Sequence, residues 1–375
     1  MRVIGRPSAG RETPTMTPYY DVQLSGTTYP STYLSTGGIL VQPLLETTQS
    51  TGVSTTDVTE WETPTAPLLL IVSESVFFFI YNTDNYFHFL YDAVPTLHQF
   101  LNLRESIPTL KLLMTSKQLY PFVTDTLALL GIRSQDILRA NPSTLYKTML
   151  VASSPTHEGC SNEPPHPSIW SVYGRMAGSE EVLPKKIYVS RRSWIHGDTS
   201  NLGTNYTTRR RMLCEDELVE ALTAKGYAEV FCESLTMAQK VQMFSQATHV
   251  VGAIGGGMCN LVFAKPSCKV VCIGSPEFER INHRFLFTMN HTDLTMFRDT
   301  QTASLLYRRA KFGTFLGEVV ADEGETLALA LGNGVTWVDG EGDIRVVPTR
   351  DVTFLDEGLN SPWTFSVSEC MKFIQ

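Results

Sequence analysis

Charge is scarce in this sequence: Asp, Glu, Lys and Arg make up 18% of its 375 residues, with a net charge of −8. An average soluble domain carries roughly 25%. General affinity for nucleic acid or for an anionic membrane is therefore not expected, and any bound anion must be held by a local cluster of donors. Long apolar runs are missing too. The longest, residues 68–80, is broken by Ser73, Glu74 and Ser75 and falls short of the roughly 20 residues a bilayer span needs. No apolar stretch follows the basic start MRVIGRPSAGRETPTM, so no secretory signal is read there. The seven cysteines (160, 214, 232, 259, 268, 272 and 370) are odd in number and form no CxxC pair. That pattern suits a reducing compartment better than a disulfide framework. The expectation is a soluble, cytoplasmic protein without a transmembrane segment.

Several chemistries lack their residues altogether. No two aspartates lie two positions apart, so there is no DxD pair to hold a divalent metal against a nucleotide diphosphate. There is no HExxH and no Cys/His cluster for zinc, no GxSxG elbow, and no Walker loop. Glu215, Asp216 and Glu217 read as nothing more than the acidic first turn of a helix. No metal and no cofactor is expected.

Hydrophobic residues, at 42%, and aromatics, at 10%, are ample for a sizeable core, and the length suggests two domains. Residues 1–67, rich in Thr, Ser, Pro and Gly, read as a β-rich or irregular extension. From 68 to 152 apolar strand-like runs (LLLIV, VFFFIYN, LKLLMTS, YKTMLVAS) alternate with helical spacing in DNYFHFLYDAVPTLHQFLNL and YPFVTDTLALLGI. The proline-bearing stretch 153–184 reads as a linker. A second series occupies 185–312: KKIYVS, EVFCES, THVVGAI and KVVCIGS as strands, with EDELVEALTAKGY, TMAQKVQMFSQA, GGGMCNLVFA and EFERINHRFLFTMN as helical stretches. Thr236 and Gln239 have capping-box spacing, and Ser234 is a rival cap. Residues 313–375 read as a β-rich tail that includes the hairpin-like GVTWVDGEGDIRVVP. Alternation of this kind gives an α/β fold with doubly wound sheets.

Three groups of residues could carry chemistry. Gly255, Gly256 and Gly257 follow a strand and open a helix. There the backbone can approach a ligand closely and amide groups can face a phosphate; a tight turn or close packing would use the same residues. Arg191 and Arg192 sit at the C-terminal end of the strand that opens the second series, the edge where open α/β sheets bind ligands. A guanidinium there is a forked, permanently charged partner for phosphate. The run from Arg209 to Arg211 reads mostly as solvated charge. Asn85, His88 and Asp92 are three and four residues apart and share one helix face. A histidine with a carboxylate one turn away is a workable general base, although on spacing alone a core histidine satisfied by its own helix is the stronger reading.

Three motifs in order, KKIYVSRR, RRRMLCEDELVEALTAKGYAEVF and THVVGAIGGGMCNLVFAKPSCKVVCIGSPE, resemble the C-terminal half of glycosyltransferase family 61. NYFHFLYDAVPTL resembles that family's N-terminal motif. The resemblance implies a GT-B architecture, with two Rossmann-like domains facing a cleft. It also implies inverting, metal-independent transfer of xylose, N-acetylglucosamine or arabinose from a UDP-sugar to a glycan or other hydroxyl acceptor. It places Arg191 or Arg192, Arg210 and Arg211, and Gly255 to Gly257 with Asn260 at the nucleotide diphosphate. Glu277 falls where GT-B enzymes often hold the ribose, and His88, Asp92 and Asn85 fall on the acceptor side. Ile254 stands where the family commonly has His, and Cys214 where it has Asn. The rival expectations are a nucleotide-sugar epimerase or hydrolase of GT-B type, and a non-catalytic nucleotide- or carbohydrate-binding protein.

Overall fold

The computed structural model describes residues 15–24, 34–36, 39–41, 66–81, 83–156, 164–176, 178, 182–192, 210–276, 283–302, 305, 308–313, 315–331, 344–355 and 361–374. Its first sheet is built from β1 (Met16–Leu24), β2 (Leu34–Thr36), β3 (Ile39–Val41), β4 (Leu70–Phe79), β5 (Lys111–Met114), β6 (Ile137–Arg139) and β7 (Thr144–Ala152). The strand order is β3-β2-β1-β7-β4-β5-β6. Strands β7, β4, β5 and β6 run parallel, and β1 joins β7 antiparallel. The two apolar runs flanking Ser73–Ser75 form a single strand, with a register shift between Val72 and Ser75. Ser73 and Glu74 occupy that irregularity, where ladder pairing is interrupted. Side chains of β4 then alternate between faces. Phe77 and Phe79 enter one buried cluster, while Val76, Phe78 and Ile80 enter another. Helices α1 (Leu97–Ser106) and α2 (Pro121–Leu129) link the parallel strands. Gly131, at φ +72°, takes the chain out of α2 in a conformation that side chains resist.

Within the stretch read as a linker, α3 (Ile169–Tyr173) is packed against the first half. Its Ile169, Val172 and Tyr173 are buried, and the Tyr173 hydroxyl donates to the Leu90 carbonyl at 2.7 Å. The second sheet follows, with β8 (Lys186–Val189), β9 (Ala228–Val230), β10 (His249–Ala253), β11 (Lys269–Ile273) and β12 (Asp293–Phe297). It is parallel throughout, in the order β12-β11-β10-β8-β9. Helix α4 (Glu215–Ala224) leads into β9 and α5 (Met237–Gln246) into β10. Thr236 caps α5 through a complete capping box, its Oγ1 accepting from the Gln239 N–H at 3.2 Å while Gln239 Oε1 accepts from the Thr236 N–H at 3.0 Å.

The fold is thus mixed α/β with parallel sheets, and both sheets contribute to one buried cluster. Phe77, Phe79, Leu112 and Met114 come from the first, and Ile187, Val189, Val250, Val270 and Cys272 from the second. Full burial of each large aliphatic or aromatic side chain contributes about 1.5–3 kcal/mol. The other face of the second sheet buries Tyr188, Val251, Ala253, Val271 and Ile273 against Trp363, Phe365, Val367, Cys370 and Ile374.

That covering layer arrives by a detour. β13 (Thr300–Thr302) pairs antiparallel with β19 (Trp363–Phe365). Between them in sequence lies a separate antiparallel sheet of β14 (Arg309–Phe312), β15 (Phe315–Asp322), β16 (Thr326–Leu331), β17 (Ile344–Pro348) and β18 (Thr353–Phe354), ordered β17-β16-β15-β14-β18. It has its own core of Ala310, Val319, Leu327, Leu329 and Val347. Beyond β19 the chain turns helical at Val367–Cys370, because Ser366 caps it by accepting from the Glu369 N–H; only the β19 part of that stretch is strand. The turn expected in GVTWVDGEGDIRVVP lies outside the described residues, although its flanks β16 and β17 do pair antiparallel. Among the described residues no helix is long and apolar enough to cross a membrane.

Candidate active site

In the second sheet β9 lies on one side of β8 and β10 on the other. The strand order reverses there, which opens a crevice beyond the carboxyl ends of β8 and β10. Arg191 leaves one lip and Gly255 the other. A Cβ built on Gly255 would sit 3.0 Å from Arg191 Nη1, so the bare backbone is what lets the guanidinium lie against the loop. A Cβ on Gly257 would come within 2.7 Å of Val189 Cγ1, whereas one on Gly256 would meet nothing within 4 Å. The three glycines therefore answer different needs. Gly255 admits Arg191, Gly257 packs on β8, and Gly256 borders open space. A 3-10 helix, Gly256–Phe263, begins at that point.

Glu215 fixes the backbone beneath Arg191. It is buried, and its Oε1 accepts from the Arg191 N–H at 2.6 Å, the Tyr188 hydroxyl at 2.8 Å and the Ser190 hydroxyl at 3.1 Å. Burial raises its pKa, and these donors work against the rise. Read from sequence as a plain helix-start charge, Glu215 is a buried anchor. Arg192 is engaged elsewhere: its Nε and Nη2 donate to the two carboxylate oxygens of Glu229 at 2.7 Å each, and its Nη1 donates to Asp216 at 2.6 Å. What holds Arg210 and Arg211 is β19. The Trp363 indole donates to the Arg210 carbonyl at 2.9 Å and the Trp363 N–H to the Arg211 carbonyl at 2.9 Å. Arg210 takes φ +58° there. Glu277 lies outside the described residues.

The first sheet has a switch point of its own, between β4 and β7. Beyond β4 the chain enters a helical segment that widens to a π-turn over His88–Ala93, with the Val94 N–H donating to the Phe89 carbonyl five residues back. Pro95 follows, a residue that cannot supply an ordinary helical donor, and π-turns recur at functional sites. His88 Nδ1 lies 2.7 Å from Asp92 Oδ2, and the His88 N–H donates to Asn85 Oδ1 at 3.3 Å. The face inferred from spacing is therefore formed, with the His88 side chain 35% exposed and that of Asp92 13%.

Side chains from both halves join these two edges. The Tyr86 hydroxyl donates to Asn260 Oδ1 at 2.5 Å, and Asn260 Nδ2 donates to the Gly257 carbonyl at 2.9 Å. Burial pushes the Tyr86 pKa well up, which keeps the phenol a donor. Arg284 donates to Asp92 Oδ1, and its guanidinium lies over the rings of Phe87 and Tyr91 at 5.8 and 5.5 Å. Phe87 also stacks on Phe285 with centroids 3.8 Å apart. Cys232, beside Gly257, has its thiol pushed up to about 12 by burial and is no nucleophile at neutral pH. Ile254 is buried in the shared core.

Residues 86–271 match the family model described as Glycosyltransferase 61. The chain belongs to glycosyltransferase family 61. The match begins at Tyr86, ends in β11 and includes His88, Asp92, Arg191, the three glycines and Asn260. Membership makes the protein a glycosyltransferase, with a sugar donor and a glycan acceptor. No curated protein matches the chain.

Sequence reasoning passed over Tyr86, Glu215 and Arg284. Arg284 partners Asp92 across 192 positions, and no local pattern signals such a pair. Glu215 did carry a signal, being the one acidic residue of its triplet at the first position of α4, next to the β8 edge.

Proposed function

We propose that this chain is an inverting, metal-independent glycosyltransferase of GT-B type. It moves a sugar of the xylose, N-acetylglucosamine or arabinose kind from a UDP-linked donor to a hydroxyl of a glycan or other acceptor, in the cytoplasm. The observation that carries the reading is the pairing of two switch-point edges, one holding a histidine–carboxylate dyad and the other an arginine laid against glycines. The free thiols of the six described cysteines support the cytoplasmic location.

In this reading Asp92 takes the Nδ1 proton of His88 as a hydrogen bond, leaving the Nε2 lone pair for chemistry, and Arg284 keeps Asp92 in place. Asn85 steadies the turn at its start. The acceptor oxygen attacks the anomeric carbon while its proton passes to His88 Nε2. As the new C–O bond forms, the bond from that carbon to the diphosphate oxygen breaks on the opposite side, which inverts the centre. The departing diphosphate is stabilised by Arg191 and by the main-chain amides of Gly256 and Gly257, preorganised donors aimed where charge develops. Arg210, Arg211 and Glu277 complete the donor side. Arg192 sustains the Arg191 loop through Glu229 and Asp216, rather than meeting the diphosphate itself.

The test is transfer from a panel of UDP-sugars with product stereochemistry read by NMR. His88→Ala should abolish most turnover while UDP affinity stays near that of the parent. Full transfer by His88→Ala would remove the base from this scheme. Donor consumption with no acceptor present would favour an epimerase or hydrolase.

A further inference from the structure

One turn into α5, Lys240 points inward and is only 7% exposed. Its ammonium lies 4.5 Å from the centroid of the Tyr86 ring. Among the described residues it makes no hydrogen bond and no ion pair. Burial pushes its pKa down, while the carboxylates of Glu233 and Asp125 act in the opposite sense. Glu233 stands in the 3-10 turn Cys232–Ser234, at the carboxyl end of β9. Its Oε1 is buried and, among the described residues, has no hydrogen-bond partner.

Two side chains of opposite charge are thus neighbours that do not pair. Buried polar groups without partners are rare in native proteins and call for an explanation, and a buried charge is normally neutralised by contact. A hydroxyl can donate to a carboxylate and accept from an ammonium at the same time, so a hydroxyl-bearing ring between the two would satisfy both. The location fits such a ring. Tyr86, whose face Lys240 touches, is bonded to Asn260, and Asn260 to Gly257. Cys232, adjacent to Glu233, reaches the Gly257 carbonyl. The pair therefore sits beside the glycine loop.

We propose that Glu233 and Lys240 form a carbohydrate subsite that reads hydroxyl groups of a sugar ring, with Tyr86 as its aromatic wall. The proposal rests on placing the donor diphosphate at Gly255–Gly257, which puts the transferred sugar within reach; an acceptor sugar offers the same hydroxyls. Nothing else in the scheme above uses either residue.

Glu233→Gln and Lys240→Met test it by calorimetry with three probes: UDP; UDP-N-acetylglucosamine and UDP-xylose; and the methyl glycosides of the same two sugars. Both variants are expected to bind UDP as the parent does and to lose roughly 10–100-fold in affinity for a sugar-bearing probe, the cost of a charged hydrogen bond. Loss confined to the UDP-sugar assigns the subsite to the donor, and loss on the methyl glycoside assigns it to the acceptor. Lys240→Met should melt close to the parent, because losing the ammonium's contact with the Tyr86 ring is offset by relief of a buried charge. Unchanged affinity for every sugar probe in both variants overturns the proposal, whatever happens to the melting temperature. If the parent ignores UDP but its methyl glycoside binding falls in the variants, the donor placement fails and the subsite stands.

Discussion

The two parallel sheets reach the site with different equipment. Beyond β4 lies an aromatic surface, Tyr86, Phe87, Phe89 and Tyr91, with one dyad set into it. Beyond β8 and β10 lie bare backbone and a guanidinium. In the proposed scheme the first edge moves a proton and the second receives negative charge. The difference teaches how to test that scheme: if it holds, each edge can be disabled separately. Adjacent residues repeat the contrast on a smaller scale: Arg191 lies on the glycine loop, whereas Arg192 is clamped by Glu229 and Asp216.

The largest effect should come from the first edge. His88→Ala is expected to lower kcat by about 10²–10⁴-fold, the usual worth of a positioned base, with UDP affinity little changed by titration calorimetry. Equal losses in kcat and UDP affinity would erase the division between the edges. Next comes Arg191→Ala, for which about 10²–10³-fold is expected in kcat/KM, the scale of losing one preorganised donor to developing charge. Arg192→Ala sharpens the same comparison. It should cost about 1–3 kcal/mol in a denaturant melt, between the values for exposed and buried ion pairs, and less in nucleotide affinity than Arg191→Ala does.

The glycines give smaller and opposite signs. Gly257→Ala drives a methyl into Val189 and should destabilise by about 1–3 kcal/mol, as overpacking does. Gly256→Ala meets open space and ordinary backbone geometry. It should leave the protein equally stable or more stable by about 0.4–1 kcal/mol, yet bind UDP more weakly. A Gly256→Ala variant with unaltered UDP affinity would show that the open space is not where the ligand lies. The smallest expected effect is none: EDTA should leave turnover unchanged, and a loss restored by Mg²⁺ or Mn²⁺ would overturn the metal-free scheme.

Much of this was legible in the sequence because its signals are local. Alternating apolar runs gave both parallel sheets, and Thr236 and Gln239 gave the start of α5. His88 and Asp92 lie one turn apart, so spacing alone could pair them. Arg191 could be placed at a sheet edge but not told apart from Arg192, since what separates them is Glu229 and Asp216, each on another element. Tyr86, Lys240 and Arg284 were silent for the same reason. Their roles depend on partners from the opposite half, and a tyrosine, lysine or arginine in a helical pattern reads as ordinary surface until the partner is known.

One consequence follows from the way β13 and β19 sit side by side while a whole antiparallel sheet separates them in the chain. The detour leaves and returns where β13 pairs with β19, and its sheet keeps a core of its own. Trp363 helps close the outer face of the second parallel sheet and holds the Arg210–Arg211 backbone, so a premature stop anywhere in the detour would leave that face greasy and open. During synthesis, the second half must wait half-dressed until the ribosome has passed the detour.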